Sequence, residues 1–226
     1  MVKTLTIVLD NGRALNWNLD FSEHGTLQMS TFAFCSKLPW VALDFCKCPT
    51  CTLDKETNPT CPVAEVLAKY ARDFSDRKSF ERVKVHIVEE DGRHIILRDV
   101  PLQNVVGELV RLAVYQSGCP VGRKIKPAMT RLHLFPTNNE ILQALALYFA
   151  FQSRGTSKAP EDLDEEQSKF MQSLHDVFGC LSKRLENAGK GDVYLNAVVI
   201  MHSLSLLFSL SAPELIKNAI SESRFW

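Results

Sequence analysis

The sequence predicts an α+β fold, in which two β-hairpins form a small antiparallel sheet and a mainly helical C-terminal half follows. Polar and apolar residues alternate in two pairs of short segments before residue 100, and a period of two is typical of strands with one buried face. Beyond residue 100 the apolar residues recur with the helical period. We expect the 226 residues to form one domain. Residues 1–100 then hold the hairpins, a cysteine motif and one helix, and residues 101–226 form a bundle-like part.

Each predicted hairpin is centred on a glycine turn. Asn11-Gly12 separates the first two alternating segments and Asp91-Gly92 separates the second two. Asn-Gly is a strong hairpin signal because both central residues accept a positive φ. A further short strand or turn is expected at residues 32–35. The four predicted strands span residues 4–9, 13–19, 80–88 and 94–100.

The helical period predicts five helices, at residues 62–74, 101–116, 138–151, 165–185 and 193–210. Pro62 and Pro101 open two of them, as Pro is favoured at the first helical position. Residues 121–136 are expected to form an irregular connector, and residues 154–161 an exposed linker. Residues 193–212 lack Asp, Glu, Lys and Arg but contain Asn196, His202 and four serines. We therefore expect a buried core helix there rather than a membrane span.

The composition of the chain indicates which class of partner it binds and in which cellular compartment it lies. Lys and Arg together number 26, as do Asp and Glu, so the formal net charge is zero. Nucleic-acid binding usually shows as a basic excess, and we expect no nucleic-acid partner. The first residues are strand-like rather than typical of a signal peptide. Seven cysteines, an odd number, in a chain without such a signal indicate a reducing, cytoplasmic location.

The most informative stretch contains four cysteines within sixteen residues, at positions 46, 48, 51 and 61, and a fifth follows at position 119. Cys48 and Cys51 form a CxxC pair, whose two thiolates can turn toward one metal ion. Pro follows Cys48, Cys61 and Cys119. At Cys61 the proline also begins a predicted helix, whose N-terminus favours the thiolate form.

Two ligand sets are compatible with this spacing. The local set is Cys46, Cys48, Cys51 and Cys61, and the second set replaces Cys46 with Cys119. We favour the second, because Cys119 shares the Cys-Pro context and a CxC pair points neighbouring side chains apart. Four thiolates suit either zinc or a 4Fe–4S cluster. Disulfides and free thiols are the alternatives, and Cys35 and Cys180 are interpreted as small buried apolar residues.

The order of these motifs resembles a bacterial family catalogued only as a domain of unknown function. The resemblance runs from about residue 43 to residue 210 and implies no activity. Cys46 lies outside the shared pattern, and Phe135-Pro136 stands where the family tends to have Pro then Phe. The matching residues are Cys48-Pro-x-Cys51, Cys61-Pro-Val-Ala64, Ser117-Gly-Cys-Pro-Val121, Lys126-Pro-x-Met129, Arg131-x-His-Leu134 and Asn196-Ala197.

Arg131 and His133 are candidate cofactor-binding residues beside the cysteine site, and His133 is a candidate ligand because Cys₃His zinc sites exist. The alternative for His133 is a hydrogen-bonded residue of the connector. The chain lacks a nucleophile elbow, a phosphate-binding glycine loop and an HExxH helix, so we do not expect an enzyme.

Three functions follow from the cysteines. The first is a cytoplasmic metal-binding module with a structural centre that serves protein interaction or regulation. The second is an iron–sulfur redox or sensing protein, which includes the case of an enzyme component. The third is a thiol oxidoreductase using Cys48 and Cys51, although the strand–CxxC–helix context of thioredoxin-like proteins is absent.

Overall fold

The computed structural model of the chain describes residues 2–28, 37–74, 76–154, 160–189 and 191–222. Four strands and six α-helices lie in these ranges, and the predicted α+β class is confirmed. The strands are β1 (Val2–Val8), β2 (Ala14–Asp20), β3 (Arg82–Val88) and β4 (His94–Pro101). The helices are α1 (Pro62–Ala71), α2 (Leu102–Gln116), α3 (Lys126–Met129), α4 (Asn138–Arg154), α5 (Pro160–Leu185) and α6 (Val193–Glu222).

Both hairpins belong to one antiparallel sheet with the strand order β2-β1-β3-β4. The central ladder joins β1 to β3, with Thr4 opposite Val88 and Val8 opposite Lys84. Because side chains alternate along a strand, one face of the sheet is apolar and packs on the helices. The residues of that buried face include Leu5, Ile7, Leu15, Trp17, Leu19, Val83, Val85 and Ile87.

The hairpin turns differ in type from the prediction. Leu9 N–H donates to Arg13 O at 2.9 Å, and Gly12 N–H donates to Leu9 O at 3.0 Å. Gly12 has a φ of +79°, whereas Asn11 is not among the described non-glycine residues with positive φ. The turn is therefore a three-residue loop that ends in a left-handed glycine, rather than a two-residue Asn-Gly turn. Gly92 repeats this geometry in the second hairpin, with a φ of +82°.

Helix α2 lies at the centre of the fold, packed against α1, α6 and β4. All but two of its residues are buried. Helix α1 is joined to the sheet by Trp17, whose ring centroid lies 4.7 Å from that of Tyr70 and 5.3 Å from that of Phe74. The indole N–H of Trp17 also donates to Asp73 at 3.2 Å. A continuous core thus joins the sheet to the helices.

Several helix boundaries differ from those predicted. Helix α1 ends at Ala71 and passes into a 3₁₀ turn, Arg72–Phe74. Helix α5 begins at Pro160, inside the predicted linker. The predicted connector 121–136 contains a 3₁₀ turn, Gly122–Ile125, and α3. The short strand or turn predicted at residues 32–35, including Cys35, lies outside the described residues.

Helix α6 is longer and less buried than expected. It continues through Pro213 to Glu222 and packs against α2, α4 and α5. By length and composition the stretch Val193–Ala219 is apolar enough to cross a membrane, and 44% of its most apolar window is buried. The side away from the core exposes four large apolar residues, Val199, Leu206, Leu207 and Leu210.

Candidate metal centre

The structure brings the four predicted ligands to one place. Cys48 and Cys51 come from the loop before α1, Cys61 precedes α1, and Cys119 follows α2. All four line one small cavity of about 30 Å³. Its other lining residues are Leu53, Pro62, Val63, Pro120, Val121, Val177, Cys180, Leu181 and Arg184.

Backbone pairing explains why the cysteine loop lies against α1. Leu43 N–H donates to Pro59 O at 2.9 Å, and Cys61 N–H donates to Val41 O at 2.9 Å. The two arms of the loop are therefore held side by side. At its tip, Cys51 N–H donates to Cys48 O at 2.9 Å, which closes the CxxC turn.

Cys61 and Cys119 occupy matching Cys-Pro-Val turns. Glu65 N–H donates to Cys61 O, and Arg123 N–H donates to Cys119 O, both at 2.9 Å. Burial raises the pKa of Cys61 and of Cys119, and in each case the backbone N–H groups two and three residues ahead oppose that increase. Each sulfur thus lies at the N-terminal end of a helical turn, where partial positive charge stabilises a thiolate.

Two glycines position the second of these turns. A Cβ atom on Gly122 would lie 1.8 Å from the backbone oxygen of Val114, so the turn packs directly on α2. A Cβ atom on Gly118 would meet Pro62 at an ordinary 3.5 Å. The Gly118-Cys119 and Cys61-Pro62 segments are therefore neighbours, although α1, the second hairpin and α2 separate them in sequence.

Arg184, on α5, also lines the cavity and is 2% exposed. One guanidinium nitrogen, Nη1, donates to Trp40 O at 2.6 Å and to Ala42 O at 2.7 Å. The other, Nη2, donates to Leu43 O at 3.0 Å and to Cys46 O at 3.2 Å. A single side chain therefore fixes the entry to the cysteine loop.

The charge of Arg184 is not matched by a carboxylate. The ion pairs among the described residues do not include Arg184. Asp44 lies close enough for Arg184 to contribute to lowering its pKa, but the main cause is a hydrogen bond with Lys55. Arg184 also acts on a cysteine of the cavity: burial raises the pKa of Cys61, and the guanidinium of Arg184 opposes that increase.

Burial favours the protonated form of three of these thiols. It raises the pKa of Cys119 to about 11 and raises the pKa of Cys48 and Cys61 as well. The neighbouring cysteines add to these increases, because two thiolates repel one another across a small cavity. Thiolates here need a positive partner.

Cys180 was interpreted from the sequence as a small buried apolar residue, and that interpretation is wrong. It is half-buried and lines the cysteine cavity, and burial, together with Cys46 beside it, raises the pKa of its thiol. On α5 it lies one turn before Arg184, on the same helix face. The sequence offered only that spacing as a signal, since the contact joins distant parts of the chain.

Arg131 and His133 lie elsewhere. Arg131 lines a separate cavity of about 610 Å³ between α3 and α4. His133 lines neither cavity; its Nδ1 bonds to Leu134 O at 2.8 Å and its Nε2 to Glu140 at 3.1 Å. These two contacts raise the pKa of His133, chiefly the one with Leu134. The structure thus places neither residue at the cysteines.

The chemistry of the donor set fits a soft metal, since thiolates select zinc, copper(I) or iron–sulfur clusters. In the conformation described for these ranges, no three His, Cys, Asp or Glu side chains are already arranged as metal ligands. A bound ion therefore requires the thiols to turn inward around the cavity that they share.

Comparison with known proteins places the chain in a family without assigning it an activity. No curated protein and no solved structure matches the sequence. A family model described as a domain of unknown function (DUF6901) matches residues 4–224, a range that includes all the cysteines discussed above. The expected relationship to a family catalogued as a domain of unknown function is confirmed, and the chain belongs to the DUF6901 family.

Proposed function

We propose that the chain is a cytoplasmic metal-binding protein whose centre holds one zinc ion through Cys48, Cys51, Cys61 and Cys119. The observation that carries the proposal is the convergence of these four cysteines, from three separate segments, on one small cavity. Structural zinc sites use four ligands, and Cys₄ is a common set.

The size of the cavity supports a single ion rather than a cluster. A volume of about 30 Å³ holds roughly two water-sized spheres, since one occupies about 10–15 Å³. A 4Fe–4S cluster uses the same four thiolates but adds eight atoms, so it requires a much larger opening of the loop. The cluster, in a redox or sensing protein, is therefore the second candidate.

Electrostatics also support a centre with excess negative charge. Zinc with four thiolates is doubly negative, and such a group is costly to bury without a compensating cation. Arg184 lines the cavity with a buried guanidinium, and its hydrogen-bond partners within the described ranges are carbonyl oxygens. The cation is thus already in place beside the sulfurs, together with the N–H groups of the two Cys-Pro-Val turns.

The role that follows is structural. A zinc ion here ties the cysteine loop and the start of α1 to the segment after α2, from residue 48 to residue 119. Metal binding then contributes directly to the free energy of folding. A folded surface maintained in this way serves protein interaction or regulation, in the reducing compartment where thiols stay available.

The test is to purify the protein without oxygen and measure zinc, iron and acid-labile sulfide per chain. We expect a colourless protein with one zinc. Cys61→Ser should lose the zinc and melt well below the wild type, because one of four ligands is missing.

Cys46→Ser is the matched control, since Cys46 lies in the same loop but outside the proposed ligand set. It should keep the zinc. A brown preparation with iron and sulfide would establish the cluster instead. Absence of any metal, with equal melting temperatures for wild type and Cys61→Ser, would end the proposal of a metal centre.

A further inference from the structure

Two histidines on the outer face of the sheet form a pair that has no part in the cysteine site. His86 lies on β3 and His94 on β4, where His94 is paired with Val88, two residues beyond His86. Side chains two residues apart on a strand share a face, so both rings project from the side opposite the buried Val85 and Ile87. His86 is half-buried and His94 is exposed, so solvent ions can reach the pair.

One ring nitrogen of each histidine faces the other. His86 Nε2 lies 2.9 Å from His94 Nδ1, the ring centroids are 5.0 Å apart, and the ring planes are inclined by 31°. Metal–imidazole bonds are about 2.0–2.1 Å long, so two imidazole nitrogens bound at a right angle lie about 2.9 Å apart. The observed separation therefore matches two adjacent ligand positions of an octahedral or tetragonal metal ion.

Other histidines of the chain are arranged differently. His133 uses both ring nitrogens, one with Leu134 O at 2.8 Å and the other with Glu140 at 3.1 Å. The rings of His175 and His202 are 5.3 Å apart, but Nε2 of His175 is buried without a hydrogen-bond partner in the described ranges. The pair on the sheet thus combines solvent access with two nitrogens directed at one point, which is what a shared ion requires.

The sheet fixes the distance between the two histidines. Strand β3 is an inner strand, bonded to β1 on one side and to β4 on the other, and sites built on strands are held more precisely than sites on loops. Thr6 on β1 is paired with His86, and its hydroxyl donates to Asn16 at 2.8 Å. Because that hydroxyl is already engaged, the remaining positions around an ion are left to water or to a ligand from another molecule.

We propose that His86 and His94 bind one divalent transition-metal ion of octahedral or tetragonal preference, for which nickel(II) is the probe. Imidazole suits nickel and copper, and tetragonal nitrogen and oxygen sites are typical of nickel(II) and copper(II). Both lone pairs turn toward the ion when His86 carries its proton on Nδ1 and His94 carries its proton on Nε2. Each neutral ring keeps one proton, and no electron is transferred. Nickel is preferred to copper in the test because thiols reduce copper(II).

The experiment is equilibrium dialysis of the full-length, zinc-analysed protein against nickel chloride, followed by NMR of the histidine ring signals. We expect a single nickel ion per chain, with paramagnetic broadening centred on His86 and His94. His86→Gln and His94→Gln should each weaken nickel binding by at least about tenfold, a loss seen even when only a supporting group around a ligand is removed. His24→Gln, at another exposed histidine, is the matched control and should bind nickel like the wild type. Circular dichroism should be the same for all of these variants, because the three side chains lie outside the core.

Unchanged nickel affinity in both histidine variants, or broadening confined to the cysteine loop, overturns the proposal. Cys61→Ser separates this inference from the proposed function. If that variant loses zinc but keeps nickel, the two sites are independent and both are supported. If it loses nickel together with zinc, the nickel lies at the cysteines and the histidine site is refuted. Wild-type protein that contains no zinc but binds nickel through His86 and His94 would refute the zinc centre and support the histidine site.

Discussion

Among the residues whose burial the structure describes, two arginines are almost fully buried, and their surroundings differ in kind. Arg111 is 1% exposed, and its Nε and Nη2 donate to the carboxylate of Glu108, one turn earlier on α2, at 2.8 and 2.6 Å. Arg184 is 2% exposed and binds four backbone carbonyls of a distant loop. The charge of Arg111 is neutralised by a carboxylate of its own helix. Arg184 instead interacts with groups outside α5. The guanidinium of Arg184 thus lies beside the cavity where the proposed zinc–thiolate centre would add negative charge.

The largest effect is expected from Arg184→Met. Four carbonyl oxygens lose a charged donor at once, and a hydrogen bond to a charged group is worth about 1.5–3 kcal/mol. Allowing for water reaching part of the loop, we expect a loss of about 4–6 kcal/mol in the free energy of unfolding. Urea unfolding of metal-free protein measures it. A loss below about 1 kcal/mol would show that the loop does not depend on this residue.

Arg111→Met should cost about 3–5 kcal/mol, because it leaves the Glu108 carboxylate buried and unpaired. Because the partner of Arg111 is a side chain, Glu108 can also be replaced, and the single and double variants can be compared. Glu108→Leu combined with Arg111→Met should restore stability to within about 1 kcal/mol of the wild type. Met129 O, which Arg111 also binds, keeps a donor in Gln116. If the double variant is as unstable as the single one, Arg111 stabilises the fold through contacts other than the one with Glu108.

The turn that carries Cys119 depends on close packing rather than on charge. Gly122→Ala forces a methyl group to within 1.8 Å of Val114 O, so the turn carrying Cys119 must move. Overpacking of this kind costs about 1–3 kcal/mol. Gly118→Ala, on the other side of Cys119, meets only an ordinary contact and serves as the matched control. Equal melting temperatures for the two variants would contradict the close approach to α2.

The smallest change in stability is expected at an exposed carboxylate, that of Glu140, in contrast to the two buried arginines. Glu140 accepts the Thr137 N–H at 2.6 Å and the Thr137 hydroxyl at 2.8 Å, forming a capping box at the start of α4. These bonds, the N–H first, lower the pKa of Glu140 to about 2. Its contribution to stability is present above its ordinary pKa of 4.5 and is lost as the pH falls toward 2.

Between pH 4.5 and pH 2, the melting temperature of Glu140→Gln should therefore fall slightly less than that of the wild type. Thermal unfolding in low salt measures this difference. Asp91 is a suitable control, because its pKa is also lowered and its carboxylate is exposed, but it lies in a hairpin turn. An unchanged acid profile in Glu140→Gln would mean that the capping box does not form in solution.

Local signals in the sequence were sufficient for most of the fold. Alternation of polar and apolar residues predicted both hairpins. The shared Cys-Pro pattern predicted that Cys119 lies near the CxxC pair, although about 70 residues separate them in sequence. What could not be predicted depends on tertiary packing. Arg184 resembles any arginine near a helix C-terminus, and its partners are about 140 residues away. Cys180 lies beside apolar residues of α5, and only the position of the loop makes it part of the thiol cluster.

The turn type and several helix ends were also not predicted correctly. Asn-Gly is compatible with more than one hairpin geometry, and the choice depends on how the strands twist together. The last helix was predicted to end at residue 210, yet α6 continues through Pro213 to Glu222. Packing against three neighbouring helices outweighs one lost backbone hydrogen bond.

The order of strands in the sheet also has a kinetic consequence. Each hairpin closes locally, but the central ladder pairs residue 8 with residue 84 and residue 4 with residue 88. The intervening chain contains the whole cysteine loop and α1. Closing such a long loop before its contacts are gained slows folding. We therefore expect the two hairpins to form early and the joining of β1 to β3 to limit the rate, so that the cysteine loop acquires its final surroundings only when the sheet is complete.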